Sequence, residues 1–207
     1  MGRRTKTAFL IIELLLYCSF LLLDCLSDTD TKWIKYASIF LIALFSMQSR
    51  DKVITAALRL TAAADVFLLV LDQNHAIGIM LFVTVQILYS LHLKSKKILM
   101  VQLILILASC VLSAAYKQID ALAIGYISVF LLNVVHAGFY CSQNQKIQNT
   151  LFFAGLILFF CCDLCVGYYN IGSGPLWHFS RVAMWAFYLP GQILILMSAI
   201  PSQGDYS

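Results

Sequence analysis

Thr150-Leu-Phe-Phe-Ala-Gly-Leu-Ile-Leu-Phe-Phe-Cys-Cys-Asp-Leu-Cys-Val-Gly-Tyr168 holds nineteen residues and one formal charge, Asp163. A bilayer core is crossed by a helix of about 20 mostly apolar residues. The stretch therefore reads as a membrane span with one carboxyl inside it. Working outward, the charged residues cut the rest of the chain into runs of the same kind. They are Ala8–Leu26, Trp33–Ser49, Val53–Leu71, Ala76–His92, Ile98–Tyr116, Leu122–Cys141 and Val182–Ile200, which make eight spans with the first. Backbone groups in lipid must be satisfied within their own segment, so helices are expected. The period-two alternation of a membrane barrel is absent. The expected fold is all-α: a polytopic bundle of eight transmembrane helices forming a single integral membrane domain over residues 1–207.

Composition supports the same class. Of 207 residues, 61% are hydrophobic and 12% charged, with a mean hydropathy of +0.87. A soluble domain is about half apolar and a quarter charged. Too little polar surface remains to wrap a water-soluble core, which excludes a soluble enzyme, a nucleic-acid-binding domain and a disordered chain. The first run has no convincing small-residue cleavage site after it and is kept as a span. With the N-terminus in the cytoplasm, nine Lys/Arg fall on that side (Arg3, Arg4, Lys6, Arg50, Lys52, Lys94, Lys96, Lys97, Lys146). Four fall on the other (Lys32, Lys35, Lys117, Arg181), beside Asp28, Asp30, Asp72 and Asp120. The positive-inside rule then places both termini in the cytoplasm.

Ionisable groups at membrane depth are costly and are functional candidates by default. Glu13, Arg59, Asp65 and Asp163 stand out. Glu13 and Arg59 lie roughly 9 Å from a cytoplasmic end at 1.5 Å per residue. Arg59 can snorkel to the headgroups, and both read as interfacial anchors. Asp65 and Asp163 are too short to do so. Each lies roughly 9 Å from the exterior end of its span, and the two spans run the same way. The carboxyls are thus expected at one depth, facing protein or water.

Asp72 follows Asp65 by seven residues and Asn170 follows Asp163 by seven, a spacing that returns to one helix face. Four spans separate the copies, which suggests a weak parallel 4+4 repeat. The even-numbered spans add Gln86 and Tyr89, Tyr126 and Asn133, and Tyr188 and Gln192, with His136 near a span end. Taken singly, such residues are explained by interhelical hydrogen bonds. As a set they suggest a polar cavity opening outward, with two carboxyls on its wall. All seven cysteines sit in or at the ends of spans and read as small hydrophobes. Cys162-x-x-Cys165 lacks the second pair a zinc site needs. His75 and His178 lie in the connectors after the aspartate spans, where they could approach the carboxyls, but no His-x-x-x-His pair exists. Neither a metal nor another cofactor is expected.

The succession of motifs resembles the YhhN family of multi-pass membrane proteins, which includes the lysoplasmalogenases. It runs through Ala64-Asp65-Val-Phe-Leu, then Gly78, Phe82 and Tyr89, then Phe153-Ala-Gly155 with Phe160-Cys-Cys-Asp163. It ends at Phe187-Tyr-Leu-Pro-Gly-Gln192. The chain departs from the family at Ala64, where Gly is frequent, at Cys162, where Ser is common, and at Gln86, where His is frequent.

The resemblance implies a membrane lipid hydrolase that cleaves the vinyl ether of a lysoplasmalogen, a single-chain lysophospholipid. The products are a fatty aldehyde and glycerophosphoethanolamine or glycerophosphocholine. Vinyl ethers open by proton addition to the β-carbon, which creates an oxocarbenium-like centre that water attacks. One protonated carboxyl as acid and one carboxylate to activate water suit that chemistry. Asp65 and Asp163 are the catalytic candidates. Tyr89, Tyr126, Asn133, Tyr188 and Gln192 are orienting candidates, and Arg181 is a candidate for the phosphate. The alternatives are an intramembrane aspartyl protease, a metal-dependent lipid hydrolase, and a small transporter or binding protein using the aspartates as proton or cation sites. The Gly-x-Gly-Asp pattern of the protease is missing, and only Pro190 interrupts a span.

Overall fold

A computed structural model describes residues 3–27, 29–116 and 120–200, without the side chains of Arg3, Pro175 and His178. Asp28 and Lys117, used above for orientation, and the side chain of His178 lie outside the described residues. The described residues fold into eight helices: α1 (Arg3–Leu26), α2 (Lys32–Phe45), α3 (Lys52–Asp65), α4 (His75–His92), α5 (Lys96–Tyr116), α6 (Asp120–Gln143), α7 (Ile147–Ile171) and α8 (Pro175–Ala199). Seven are long and apolar enough to cross a membrane, and the protein is an integral, multi-pass membrane protein. The exception, α2, has 14 residues and continues into a 3₁₀ turn at Ser46–Gln48. Together they reach about 27 Å, at 1.5 Å per residue in the helix and 2.0 Å in the turn.

Several ends differ from the apolar runs. α8 starts at Pro175 rather than near Val182. Proline suits the first helical position, where its missing N–H is not needed, and Gly174 before it takes φ 81°. Helical structure therefore runs past the apolar stretch and carries Arg181 inside the helix. α3 gives way to a π-helical turn over Val66–Val70, in which the Leu71 N–H donates to the Val66 carbonyl at 2.8 Å. The wider turn breaks the heptad register between Asp65 and Asp72. Asp72 ends exposed in a turn at φ 49°, so it does not share a helix face with Asp65.

The packing has a repeating order. α1 packs on α2, α2 on α3 and α3 on α4; α5 packs on α6, α6 on α7 and α7 on α8. Across the halves, α4 meets α5 and α6, while α8 meets α1 and α2. Most of these pairs have a counterpart four helices further along the chain; α8 also packs on α3, a contact that stands outside that order. The first and last helices begin and end at one face, here termed proximal; the ends of α1, α3 and α7 lie at the distal face.

Lipid tails are as apolar as leucine, so close packing and interhelical hydrogen bonds hold such a bundle. Phe9, Phe20, Ile39, Ile42, Ile54, Leu58, Phe159 and Ile195 are buried, while Leu15, Leu22, Ile104 and Leu107 point outward. α5 shows the principle most plainly, because its buried residues are polar: Gln102 and Ser109. Gln102 Nε2 donates to Asn133 Oδ1 at 3.0 Å and to the Val129 carbonyl at 3.3 Å. Ser90 Oγ, with one proton, lies 2.5 Å from Gln102 Oε1 and 2.6 Å from Asn133 Oδ1. Asn133 Nδ2 donates to the Gln86 carbonyl at 2.8 Å and to its Oε1 at 2.9 Å.

α7 and α8 share the most extensive interface, and two glycines allow it. A Cβ on Gly155 would lie 2.8 Å from the Gly191 carbonyl, and one on Gly191 would lie 3.0 Å from the Gly155 carbonyl. Within α8, Pro190 cannot donate to the Ala186 carbonyl four residues back. Tyr17 Oη of α1 supplies the missing donor at 3.0 Å.

Candidate active site

Asp65 ends the α-helical part of α3, at the edge of the π turn, and retains 6% exposure. π turns recur at functional sites because they displace the residues around them from regular helical register. Tyr188 Oη, from α8, donates to Asp65 Oδ2 at 2.6 Å. Asp163, on α7, is partly buried and accepts from Tyr126 Oη of α6 at 2.5 Å. Each carboxyl thus receives one phenol hydroxyl from another helix. The two carboxyls are close enough for each charge to act on the other's surroundings: Asp163 feels Asp65, and Tyr188 feels both. Tyr36 of α2 also lies within the field of Asp65.

The walls are aromatic. Phe159 packs against Tyr188, Phe82 and Phe130 at ring separations of 5.4, 5.7 and 4.9 Å. This layer separates the carboxyls from lipid and lowers the local dielectric, which strengthens the interactions they make. On the proximal side lies a seam of buried polar atoms without hydrogen-bond partners among the described residues. They are Thr61 Oγ1, Gln86 Nε2, Tyr89 Oη, and Gln192 Nε2 and Oε1. Thr61 is one turn before Asp65, and Gln192 one turn after Tyr188. Tyr89 lies beside Thr61 and within the field of Asp163. An unpaired buried polar atom costs about 1–3 kcal/mol, so the seam is suited to water or a polar ligand.

Of the residues singled out from sequence, the structure brings Asp65, Asp163, Tyr126 and Tyr188 together, with Tyr89 and Gln192 along the seam. Asn133 belongs to the α4–α5–α6 network and touches the site only through Gln86. Arg181 lies distally, where its Nη2 donates to the Asp24 carbonyl at 3.4 Å. His136 is partly buried on α6. His75 is exposed and lies 3.8 Å from Asp72, and Asn170 is exposed with its amide on the Val166 carbonyl at 2.9 Å.

One expectation needs correction. Glu13 is fully buried rather than an interfacial anchor, and neither carboxyl oxygen has a hydrogen-bond partner among the described residues. It shares an inward stripe with Phe9 and Phe20 and lies beside Ser38. Arg59 is exposed, as a snorkelling residue requires. Asp65 is covered and Asp163 partly so, and a shallow apolar groove of about 330 Å³ lies on α4, along Ala76, Ile77, Met80, Leu81 and Thr84. Asp24, which the sequence reading did not single out, meets Lys35 across the α1–α2 connector. They form an ion pair at 2.7 Å, with side chains 9% and 11% exposed. The signal was available in their positions. Asp24 is in the last turn of α1 and Lys35 in the first turn of α2, so a short connector sets them face to face.

No curated protein and no solved structure matches the chain. A family model does, over residues 31–199, which takes in α2 to α8 and both aspartate–tyrosine pairs. That match covers most of the sequence, and the chain belongs to the YhhN family.

Proposed function

We propose that this protein is a lysoplasmalogenase-like hydrolase that cleaves the vinyl ether of a single-chain phospholipid within the membrane. Family membership is consistent with such a role. The observation that carries the reading is the pair of carboxyls, Asp65 buried and Asp163 partly buried, each with one tyrosine donor, Asp65–Tyr188 and Asp163–Tyr126. Two carboxyls in a low-dielectric site do not both ionise, which leaves one as acid and one as carboxylate. The protonated member adds its proton to the β-carbon of the vinyl ether, leaving positive charge shared between the α-carbon and the ether oxygen. The carboxylate stabilises that charge and takes a proton from the water that attacks the α-carbon. The resulting hemiacetal collapses to fatty aldehyde and glycerophospho-base, so that one water is consumed and the protons balance. The tyrosines hold the carboxyl planes, and the seam of Thr61, Tyr89, Gln86 and Gln192 is placed to hold the attacking water.

The test is turnover of lysoplasmalogen by purified protein, with aldehyde release measured for wild type, Asp65→Asn and Asp163→Asn. Both variants should lose activity while remaining folded. Full activity in either removes the carboxyl pair from the mechanism. A proton- or cation-translocating membrane protein is the competing reading, favoured by Glu13 as a third buried carboxyl. Ion flux in liposomes without hydrolysis would decide for it.

A further inference from the structure

We propose that Glu13 is the proton-exchange partner of Asp65, linked to it by water held between Ser38, Gln192 and Thr61. The role in turnover rests on the hydrolase reading above; the proton path does not. Six buried side chains hold unmet polar atoms. Glu13 Oε1 and Oε2 on α1, Ser38 Oγ on α2, Thr61 Oγ1 on α3, Gln86 Nε2 and Tyr89 Oη on α4, and Gln192 Nε2 and Oε1 on α8 have no hydrogen-bond partner among the described residues. All six residues are at most 1% exposed. A fold rarely buries even one such group without something to complete it.

Depth sets them in succession. α1 and α8 are antiparallel, and Tyr17 Oη donates to the Ala186 carbonyl at 3.0 Å. Glu13 is one turn proximal of Tyr17, and Pro190 is one turn proximal of Ala186. Glu13 therefore lies within about 5 Å, one helical turn, of the depth of Gln192. Gln192 follows Tyr188 by one turn and Thr61 precedes Asp65 by one turn, so both sit just proximal of the Tyr188–Asp65 bond. Ser38 lies beside Glu13, and Tyr36, two residues before it, is within the field of Asp65. α8 packs against α1, α2 and α3, the helices that carry Glu13, Ser38 and Thr61. Hydroxyls and amides both donate and accept, so bridging water can pass a proton along them.

Glu13 is closed off at either end. Phe9, one turn before it, stacks on Phe45 at 4.0 Å, and both rings are buried. Distally, Phe20 meets Trp185 edge-on at 6.0 Å. A carboxyl sealed inside a membrane bundle suits a proton relay. In the reaction above, one carboxyl gives a proton to carbon and the other takes one from water, so their states end exchanged and each must be reset. Glu13 gives one proton to Asp65 or takes one from it, and recovers its own state from the proximal face past the Phe9–Phe45 pair. Asp163 makes the opposite exchange with water, so protons balance over the cycle.

The first test needs no substrate. Infrared spectroscopy follows the protonated-carboxyl stretches of the purified protein after transfer to heavy water. Wild type should show a band that Glu13→Gln removes, and a second that Asp65→Asn or Asp163→Asn removes. The second band should exchange about tenfold more slowly in Glu13→Gln than in wild type, and Glu13→Asp should recover part of the rate. Absence of either band, or an exchange rate unchanged in Glu13→Gln, overturns the relay. The second test is kinetic. In Glu13→Gln the first turnover of lysoplasmalogen should stay within about twofold of wild type while steady-state turnover falls about tenfold. Equal loss in both phases makes Glu13 structural and overturns the relay. Slowed exchange in a protein that does not cleave vinyl ethers leaves the relay standing and removes the hydrolase reading. Cleavage with exchange and steady state unaffected by Glu13→Gln does the reverse.

Discussion

Replacing the two tyrosines with phenylalanine, one at a time, tests how the carboxyls divide their work. Tyr188→Phe removes one hydroxyl that donates to Asp65 at 2.6 Å, and Tyr126→Phe removes the equivalent donor to Asp163 at 2.5 Å. A hydrogen bond to a charged group contributes about 1.5–3 kcal/mol, and one to a neutral group about 0.5–1.5 kcal/mol. At 1.36 kcal/mol per factor of ten, losing the first lowers the rate about 10- to 150-fold and losing the second about 2- to 12-fold. Exposure modifies both values. Asp65 is the more deeply buried of the two, so its lost donor is the harder to replace. Tyr188→Phe is therefore expected to be the more damaging change, by about 10-fold or more in kcat. The assay is single-turnover aldehyde release from lysoplasmalogen, with thermal midpoints to show that both variants are folded. The carboxyl whose tyrosine matters more is the one that is charged in the transition state. If both variants keep kcat within about twofold while either Asp→Asn variant is inactive, the phenol–carboxyl bonds have no part in the reaction, since even the neutral case requires more.

Three further outcomes follow from the packing. Gly191→Leu forces a side chain into a gap where a Cβ already lies 3.0 Å from the Gly155 carbonyl and the Phe159 N; overpacking of this kind costs about 1–3 kcal/mol, so the thermal midpoint should fall by several degrees, and an unchanged midpoint would contradict the close α7–α8 contact. Asp51 caps α3 by accepting from the Val53 and Ile54 N–H groups at 2.9 and 3.1 Å, and it lies 2.7 Å from His92 Nδ1. Its carboxyl is held below the usual range, chiefly by His92, so its contribution exists above the unfolded carboxyl pKa of about 3.9 and disappears as pH falls through the lower folded value. Asp51→Asn should lower the midpoint near neutral pH, and the gap from wild type should close in acid; a gap independent of pH would rule out the charge. Asn133→Leu leaves Ser90 and Gln102 without a main partner and should cost about 2–4 kcal/mol, whereas Glu13→Leu removes an unpaired carboxyl and should cost nothing or stabilise. The opposite order in thermal midpoints would reverse the assignment of these two clusters.

The helices were legible because lipid imposes a length and a composition on every segment that crosses it. Asp163 inside Thr150–Tyr168 and Asp65 inside Val53–Leu71 were visible for the same reason, as charges where hydropathy should exclude them. Depth could be counted along a helix, but azimuth could not. Glu13 shows the difference: its distance from the span end fits an anchor, yet its side chain faces Ser38 and the core. Pairings across helices were hidden too, since Asp65 finds Tyr188 after 123 residues and no local pattern links them. The π turn at Val66–Val70 leaves no mark in hydropathy, because it changes the hydrogen-bond register and not the residue types. Asp24 and Lys35 were passed over as ordinary charges near a connector, although facing ends of a helix hairpin are where opposite charges meet.

The bundle has two unlike polar interiors. Between α4, α5 and α6, Gln102 of α5 is anchored to Ser90 and Asn133, and of the side-chain polar atoms of those three residues and Gln86, only Gln86 Nε2 lacks a partner among the described residues. That cluster does what polar residues between membrane helices usually do, which is to hold the helices together. Between α1, α2 and α8, Glu13, Ser38 and Gln192 are buried with polar side-chain atoms unpaired among the described residues. The same helices carry Tyr188, which bonds Asp65, and the cluster of Asp24, Lys35 and Arg181. The α4–α5–α6 group is thus hydrogen-bonded almost throughout, while the α1–α2–α8 group retains charge and unmet polar capacity. Unpaired polar groups lower stability wherever they are buried, and a fold tolerates them most readily where a ligand, a proton or water completes them. On that reasoning the proposed site lies along α8 between Tyr188 and Gln192, with Asp163 of α7, bonded by Tyr126 of α6, on its other side.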